Sequence, residues 1–178
     1  MAQKTAKLIK YIEEEEFKKV LKAEKDRRFK LAYALAFGSG LRISEIVGPA
    51  PNSNQEIKSL TKEQIDLKAH TIKILGKGGK ERITVTSPWL NETNIQLLPL
   101  KIARRTLQNR FTKLSKKILH KDLSFHTLRH GWANLLANER NLPIAQLQQL
   151  GGWSRLDTVG IYTKANPKRA IEAAWERF

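Results

Sequence analysis

Residues 26–48 read DRRFKLAYALAFGSGLRISEIVG, and this stretch decides the architecture. Leu31, Ala32, Tyr33, Ala34, Leu35, Ala36 and Phe37 follow one another without a polar break. A helix that is apolar on every side has to be surrounded by protein, so Asp26 to Phe37 predicts a core helix. Gly38-Ser39-Gly40 stops it. A short helix follows, with Ile43, Ile46 and Val47 facing inward. Arg42 and Glu45 fall one turn apart there; by themselves they read as an exposed ion pair worth roughly 0.2–0.5 kcal/mol.

Elements can be read outward in both directions. Residues 1–10 are polar and basic with no apolar run, which makes them a flexible segment or linker and excludes a secretory signal. From Ile12 to Ala23, Glu13–Glu16 lead into Phe17, Val20 and Leu21 at helical spacing, and acidic residues suit the positive end of a helix dipole. Beyond Gly48-Pro49 a loop runs through Asn54, and Thr61 caps one helical turn that reaches Asp66. Thr71–Leu75 and Arg82–Thr86 alternate in polarity around Gly76-Lys77-Gly78-Gly79-Lys80, the pattern of a β-hairpin.

After Pro99 a helix shows Leu107, Phe111, Leu114 and Ile118 on one stripe and a basic opposite face. Ser124 caps a helix running to Arg140 with Leu128, Trp132, Leu135 and Leu136 buried. Pro143–Leu150 forms another, broken by Gly151-Gly152, and Lys168–Arg177 a last one. The class is mainly α with a small antiparallel β-sheet, an α+β domain.

The 178 residues fit one domain with a real core. Lys and Arg total 33 against 17 Asp and Glu, and a surplus of that size calls for a polyanionic partner. There is no cysteine, which excludes disulfides and thiolate chemistry. No apolar run approaches the roughly 20 residues of a membrane span.

Several chemistry-bearing residues are weak signals singly. His126 and His130 sit one turn apart with Arg129 between them, but a zinc site there lacks the glutamate of H-E-x-x-H and a third ligand. Lys77, at the tip of a glycine-rich turn, is no P-loop lysine, because no Lys-Ser/Thr pair opens a following helix.

Their order carries more. Gly40-Leu41-Arg42-Ile43-Ser44-Glu45, Gly76-Lys77-Gly78-Gly79-Lys80-Glu81-Arg82, His126-Thr127-Leu128-Arg129-His130, Leu150-Gly151-Gly152-Trp153 and Ile161-Tyr162-Thr163 follow in that sequence. From Tyr11 to about Lys164 the chain resembles the catalytic domain of the tyrosine recombinase, or phage integrase, family. The resemblance implies that Arg42 and Arg129 grip the scissile phosphate, that Lys77 protonates the leaving 5′ oxygen, and that Tyr162 is the nucleophile. It gives His126 the role of base or hydrogen-bond partner for the phenol or phosphate. Trp153 takes a positioning role, since an indole N–H donates but accepts no proton. It places Glu45 behind the active-site arginine or histidine, and His130 in a structural or phosphate-contacting position. No cofactor and no metal are implied. The implied partners are double-stranded DNA and further protomers, a tetramer on DNA, with no membrane.

Under the resemblance, residues 11–178 are the catalytic domain and the family's N-terminal DNA-binding domain is missing, as in a fragment. Pro49–Lys58 is longer than the family's compact turn and reads as a surface loop. The implied location is the cytoplasm, with the DNA, or a host cell if the element is mobile. Two other classes are weighed against this one: a type IB topoisomerase-like enzyme with the same cleavage chemistry, and a non-enzymatic basic DNA-binding or ribosome-associated protein.

Overall fold

A computed structural model describes residues 10–49, 58–75, 81–162 and 175. Helix α1 (Glu14–Ala23) starts two residues later than its apolar pattern predicts, yet Ile12 is fully buried ahead of it. Helix α2 (Arg27–Gly38) is the core helix. Asp26 caps it by accepting the Arg28 N–H at 2.9 Å, and eight of its residues are buried. It packs on α1 and on α6 (His126–Asn134). Helix α3 (Ile43–Val47) follows after Gly40, whose φ of +67° turns the chain; a Cβ there would meet the Trp132 ring at 2.4 Å.

Thr61 precedes a short 3₁₀ turn (Lys62–Gln64), then the chain enters a three-stranded antiparallel sheet in the order β1 (Ile65–Asp66), β2 (Thr71–Leu75), β3 (Glu81–Val85). Ile72 pairs with Thr84 and Ile74 with Arg82. The hairpin expectation holds for both strands; the helical turn expected to reach Asp66 stops at Gln64, because Ile65 and Asp66 pair with β2 as β1, and the short helix α4 (Glu92–Ile95) is an addition that no periodicity marked. Helix α5 (Arg104–Leu119) buries Leu107 and Phe111 against α1 and carries its basic residues outward.

Ser124 does not cap α6 with its hydroxyl; its carbonyl accepts the Thr127 N–H and hydroxyl instead. The predicted helix to Arg140 changes at Leu135 to a π turn (Leu135–Glu139). Helix α7 (Ile144–Gly151) ends at Gly152, in the left-handed region at φ +65°. A further short helix, α8 (Leu156–Gly160), leads to Tyr162. Trp175 apart, the expected terminal helix Lys168–Arg177 lies outside the described residues, as do residues 1–9, the loop residues 50–57 and Lys77.

Two apolar clusters result. The larger joins α1, α2, α5 and the sheet around Phe17, Tyr33, Phe37, Phe111 and Leu128. The smaller gathers Trp132, Ala133, Leu147, Val159 and Tyr162, and it supports the segment that carries the phenol. No helix among the described residues is long and apolar enough to cross a membrane.

Candidate active site

The tight turn at Gly40 delivers Arg42 to the start of α3, where its backbone N–H donates to the Glu45 carboxylate at 2.7 Å. Its guanidinium donates to the same carboxylate at 3.0 Å and to the Gly152 carbonyl at 3.4 Å. The side chain remains 39% exposed, so it has donors left for a ligand. Glu45 is buried and not the exposed partner that an i,i+3 pair suggests. Arg82 reaches it from β3 with both arms of its fork, at 2.8 and 3.0 Å. Burial works to raise the Glu45 carboxyl, but Arg82 and Arg42 outweigh it and hold the group below the usual carboxylate range.

Arg129 is one of the largest fully buried side chains. Leu128 and Trp132 pack α6 into the two clusters, and this carries the intervening Arg129 inside. One arm donates to the Gly40 carbonyl and the other to the Gly151 carbonyl at 2.6 Å, with the Trp153 ring 4.3 Å from the guanidinium carbon. Burial first, and the Arg42 charge second, push its pKa down to about 9, which leaves it cationic at neutral pH. Among the described residues no carboxylate forms a direct ion pair with Arg129, and the nearby Glu45 charge only partly offsets the burial of its guanidinium.

The two histidines separate. His126 is exposed at the mouth of the site, beside a cavity of about 300 Å³ lined by Leu41, Ile43, Arg104, Gln108, Phe125 and Arg129. His130 lies deeper, its ring centroid 4.4 Å from that of His126, and its Nδ1 meets the Tyr162 hydroxyl. The resemblance offered His126 for the phenol; the structure places His130 there. Partial burial, then Arg129 and Arg42, lower the His126 pKa. For His130 burial, then His126 and Arg129, push it down to about 4. A neutral ring with its proton on Nε2 presents Nδ1 as an acceptor for the phenol.

Tyr162 is 6% exposed, with its carbonyl held by Asn138 at 2.7 Å and its ring centroid 5.7 Å from that of Trp153. Burial raises the phenol pKa, while Arg129 and Arg42 oppose that rise. Trp153 lies between Trp132, with ring centroids 6.1 Å apart, and Arg129. Among the described residues no three His, Cys, Asp or Glu side chains cluster as metal ligands.

Of the residues that sequence reasoning named, Arg42, Glu45, His126, Arg129, His130, Trp153 and Tyr162 come together in the structure, and Lys77 lies outside the described residues. Sequence reasoning passed over Arg82, Asn138 and the carbonyls of Gly40, Leu150, Gly151 and Gly152. Arg82 left no local signal in the sequence, and its role shows only in the fold. In Arg82-Ile83-Thr84 the polar residues turn inward and Ile83 outward, 52% exposed, which inverts the usual strand alternation.

The profile of the phage integrase family matches residues 10–169. Tyrosine recombinase XerD of Shewanella oneidensis is 34% identical over 168 residues, covering 82% of this chain and 52% of that protein. The crystal structure of XerH site-specific recombinase bound to difH substrate, a pre-cleavage complex, matches with a TM-score of 0.64 and 25% identity. That match covers 95% of this chain and 54% of the other. The catalytic domain of bacteriophage HP1 integrase has the same fold, with a TM-score of 0.62 and 16% identity over 92% of this chain and 94% of that one. The chain spans about half the length of the curated relatives it matches.

Proposed function

Because the chain belongs to the phage integrase family, we propose that it carries the catalytic centre of a site-specific DNA recombinase that cuts and rejoins strands through a 3′-phosphotyrosine. One observation supports this above the others. Two guanidiniums, Arg42 and Arg129, converge with Tyr162 while the phenol is already hydrogen-bonded to a neutral imidazole.

A phosphodiester resists nucleophiles because it is anionic. Arg42 and Arg129 take its non-bridging oxygens, and their charge stabilises the pentacoordinate transition state, usually the dominant contribution to such catalysis. His126, at the mouth, donates to a phosphate oxygen. The Tyr162 hydroxyl attacks phosphorus, its proton passes to His130 Nδ1, and the DNA 5′ oxygen leaves with a proton from Lys77. A free phenol with a pKa near 10 needs both the base and the cations to react. The phosphotyrosine keeps the energy of the broken bond, and a DNA 5′-hydroxyl reverses the step to join strands. Trp153 braces Arg129 from behind. Affinity comes from the basic surface through phosphate contacts and counterion release. The substrate is double-stranded DNA bound by several protomers, and the reaction goes on where that DNA lies, in the cytoplasm or in the host cell of a mobile element.

The test is a nicked suicide substrate from which the 5′-hydroxyl product escapes. The wild-type chain is expected to form a covalent adduct, and Tyr162→Phe to form none while it retains DNA affinity. An adduct surviving in Tyr162→Phe, or none with the wild type, overturns the assignment.

A further inference from the structure

Helix α7 ends where the active site begins, and its last carbonyls need donors. A helix leaves its final four carbonyls without partners of its own. The turn at Gly152 supplies two donors: the Gly152 N–H reaches the Gln149 carbonyl and the Trp153 N–H the Gln148 carbonyl, both at 3.2 Å. The next three carbonyls are taken by arginines from three separate elements. Arg82 Nε donates to Leu150 at 3.1 Å, Arg129 to Gly151 at 2.6 Å and Arg42 to Gly152 at 3.4 Å. Three cations at the negative end of a helix are also favoured by its dipole.

The three are not equivalent. Arg42 and Arg129 have the duty of holding phosphate. Arg82 is 12% exposed and its fork is fully used, with both arms on Glu45 and Nε on Leu150. The turn is shaped around it: a Cβ on Gly152 would lie 2.5 Å from Arg82 Cδ, at a φ of +65°. Glu45 shares its single negative charge between Arg82 and Arg42, so with Arg129 the three arginines face the phosphate with a positive surplus.

We infer that Arg82 is a positioning residue for strand cleavage, the tie that fixes Arg42 through Glu45 and fixes the segment bearing Trp153 and Tyr162 through Leu150. This rests on the recombinase reading above. When phosphate recruits Arg42 and Arg129, their bonds to Gly152 and Gly151 compete with it. The Arg82–Leu150 bond does not, and it keeps the end of α7 in register while the phenol attacks.

Single-turnover cleavage of the suicide substrate tests this with Arg82→Gln and Arg82→Lys, measured alongside DNA affinity and its salt dependence. Misplacing reacting groups by an ångström costs up to about 100-fold in rate. Arg82→Gln is expected to slow adduct formation by roughly 10- to 100-fold at saturating DNA, with affinity and salt slope unchanged. Arg82→Lys restores only part of the rate, because an ammonium neutralises Glu45 but cannot also span to Leu150. A folded variant that cleaves at the wild-type rate overturns the inference. So does a loss that appears in affinity with the salt slope reduced by about one, the mark of a direct phosphate contact. Should Arg82→Gln lose its fold by circular dichroism, Arg82→Lys decides on the same criteria. Failure of the wild type to form adduct sinks the recombinase reading instead, so the two failures are distinguishable.

Discussion

Glu24 and Glu45 are both buried, and each accepts two hydrogen bonds from one arginine, yet they serve different ends. Glu24 closes the end of α1. It accepts the N–H groups of Lys25 and Asp26 at 2.8 and 3.0 Å, the Tyr33 hydroxyl at 3.3 Å, and Arg110 at 3.0 and 2.7 Å. Around Tyr33 stand Phe29, Phe111 and Phe125. One carboxylate meets one guanidinium, and the charges cancel. At Glu45, one carboxylate meets two guanidiniums, with a third, Arg129, buried close by. The site keeps a positive surplus. The contrast separates a joint that holds the fold from one that prepares for an anion, and the charge balance distinguishes them where burial and hydrogen bonding do not.

Exchanging each glutamate for its amide should give opposite results. Glu45→Gln is expected to lower the single-turnover cleavage rate by about 100-fold, as Arg42 and Arg82 lose their common anchor. Glu24→Gln should leave the cleavage rate per folded molecule unchanged but cost about 2–3 kcal/mol of stability. That is less than the 3–5 kcal/mol of a fully enclosed pair, because Arg110 is half exposed and the amide keeps some bonds. In a chain of this size it corresponds to roughly 5–10 °C in melting temperature. Loss of cleavage in a well-folded Glu24→Gln would erase the distinction.

Acid should separate the two joints more finely. At Glu24, burial raises the carboxyl, but the Arg110 fork and the Asp26 and Lys25 N–H groups prevail and lower it below its ordinary 4.5. A depressed carboxylate contributes stability that is present above its unfolded pKa and lost as the pH falls through the folded value. The gap between wild type and Glu24→Gln is therefore flat from pH 7 to 5 and closes only below. His130 behaves otherwise. Its pKa falls from 6.5 to about 4, so across that window the unfolded chain binds a proton that the folded chain does not. Stability then declines as the pH drops below 6.5. Denaturant melts should show His130→Gln gaining on the wild type between pH 7 and 5, while Glu24→Gln shows no relative change there. A constant His130→Gln difference across that window would mean that the ring titrates normally.

The sequence displayed the first joint's surroundings better than the second's. The core helix, the hairpin strands and the Leu107/Phe111 stripe follow from periodicity, because apolar burial writes itself into spacing. Site residues became legible only through ordered motifs, and those motifs identified side chains, not their pairing. Arg42 and Glu45 looked like an exposed pair, since nothing local indicates that Arg82, distant in sequence, will close over Glu45. The motif puts His126 ahead of His130 for the phenol, and a helix pattern, which gives a face without depth, does not reverse that order. The short elements β1, α4 and α8 escaped for a related reason: two to five residues carry too little period to register.

An exposed pair gives the lower bound for both joints. Arg155 and Asp157 lie just ahead of and within α8, the helix that leads to Tyr162, with nitrogen and oxygen 2.6 Å apart. By distance alone it rivals the buried bonds. Its side chains are 75% and 63% exposed, however, so water screens the attraction and two mobile side chains lose freedom to make it. Arg155→Ala is expected to change stability by at most about 0.5 kcal/mol and to leave single-turnover cleavage unaltered. Helix α8 is held by Val159 in the smaller cluster and by Asn138 on the Tyr162 carbonyl, not by that pair. A loss of DNA affinity with a reduced salt slope and unchanged stability would show instead that Arg155 touches DNA, and would extend the cationic surplus of the Glu45 joint beyond its three arginines.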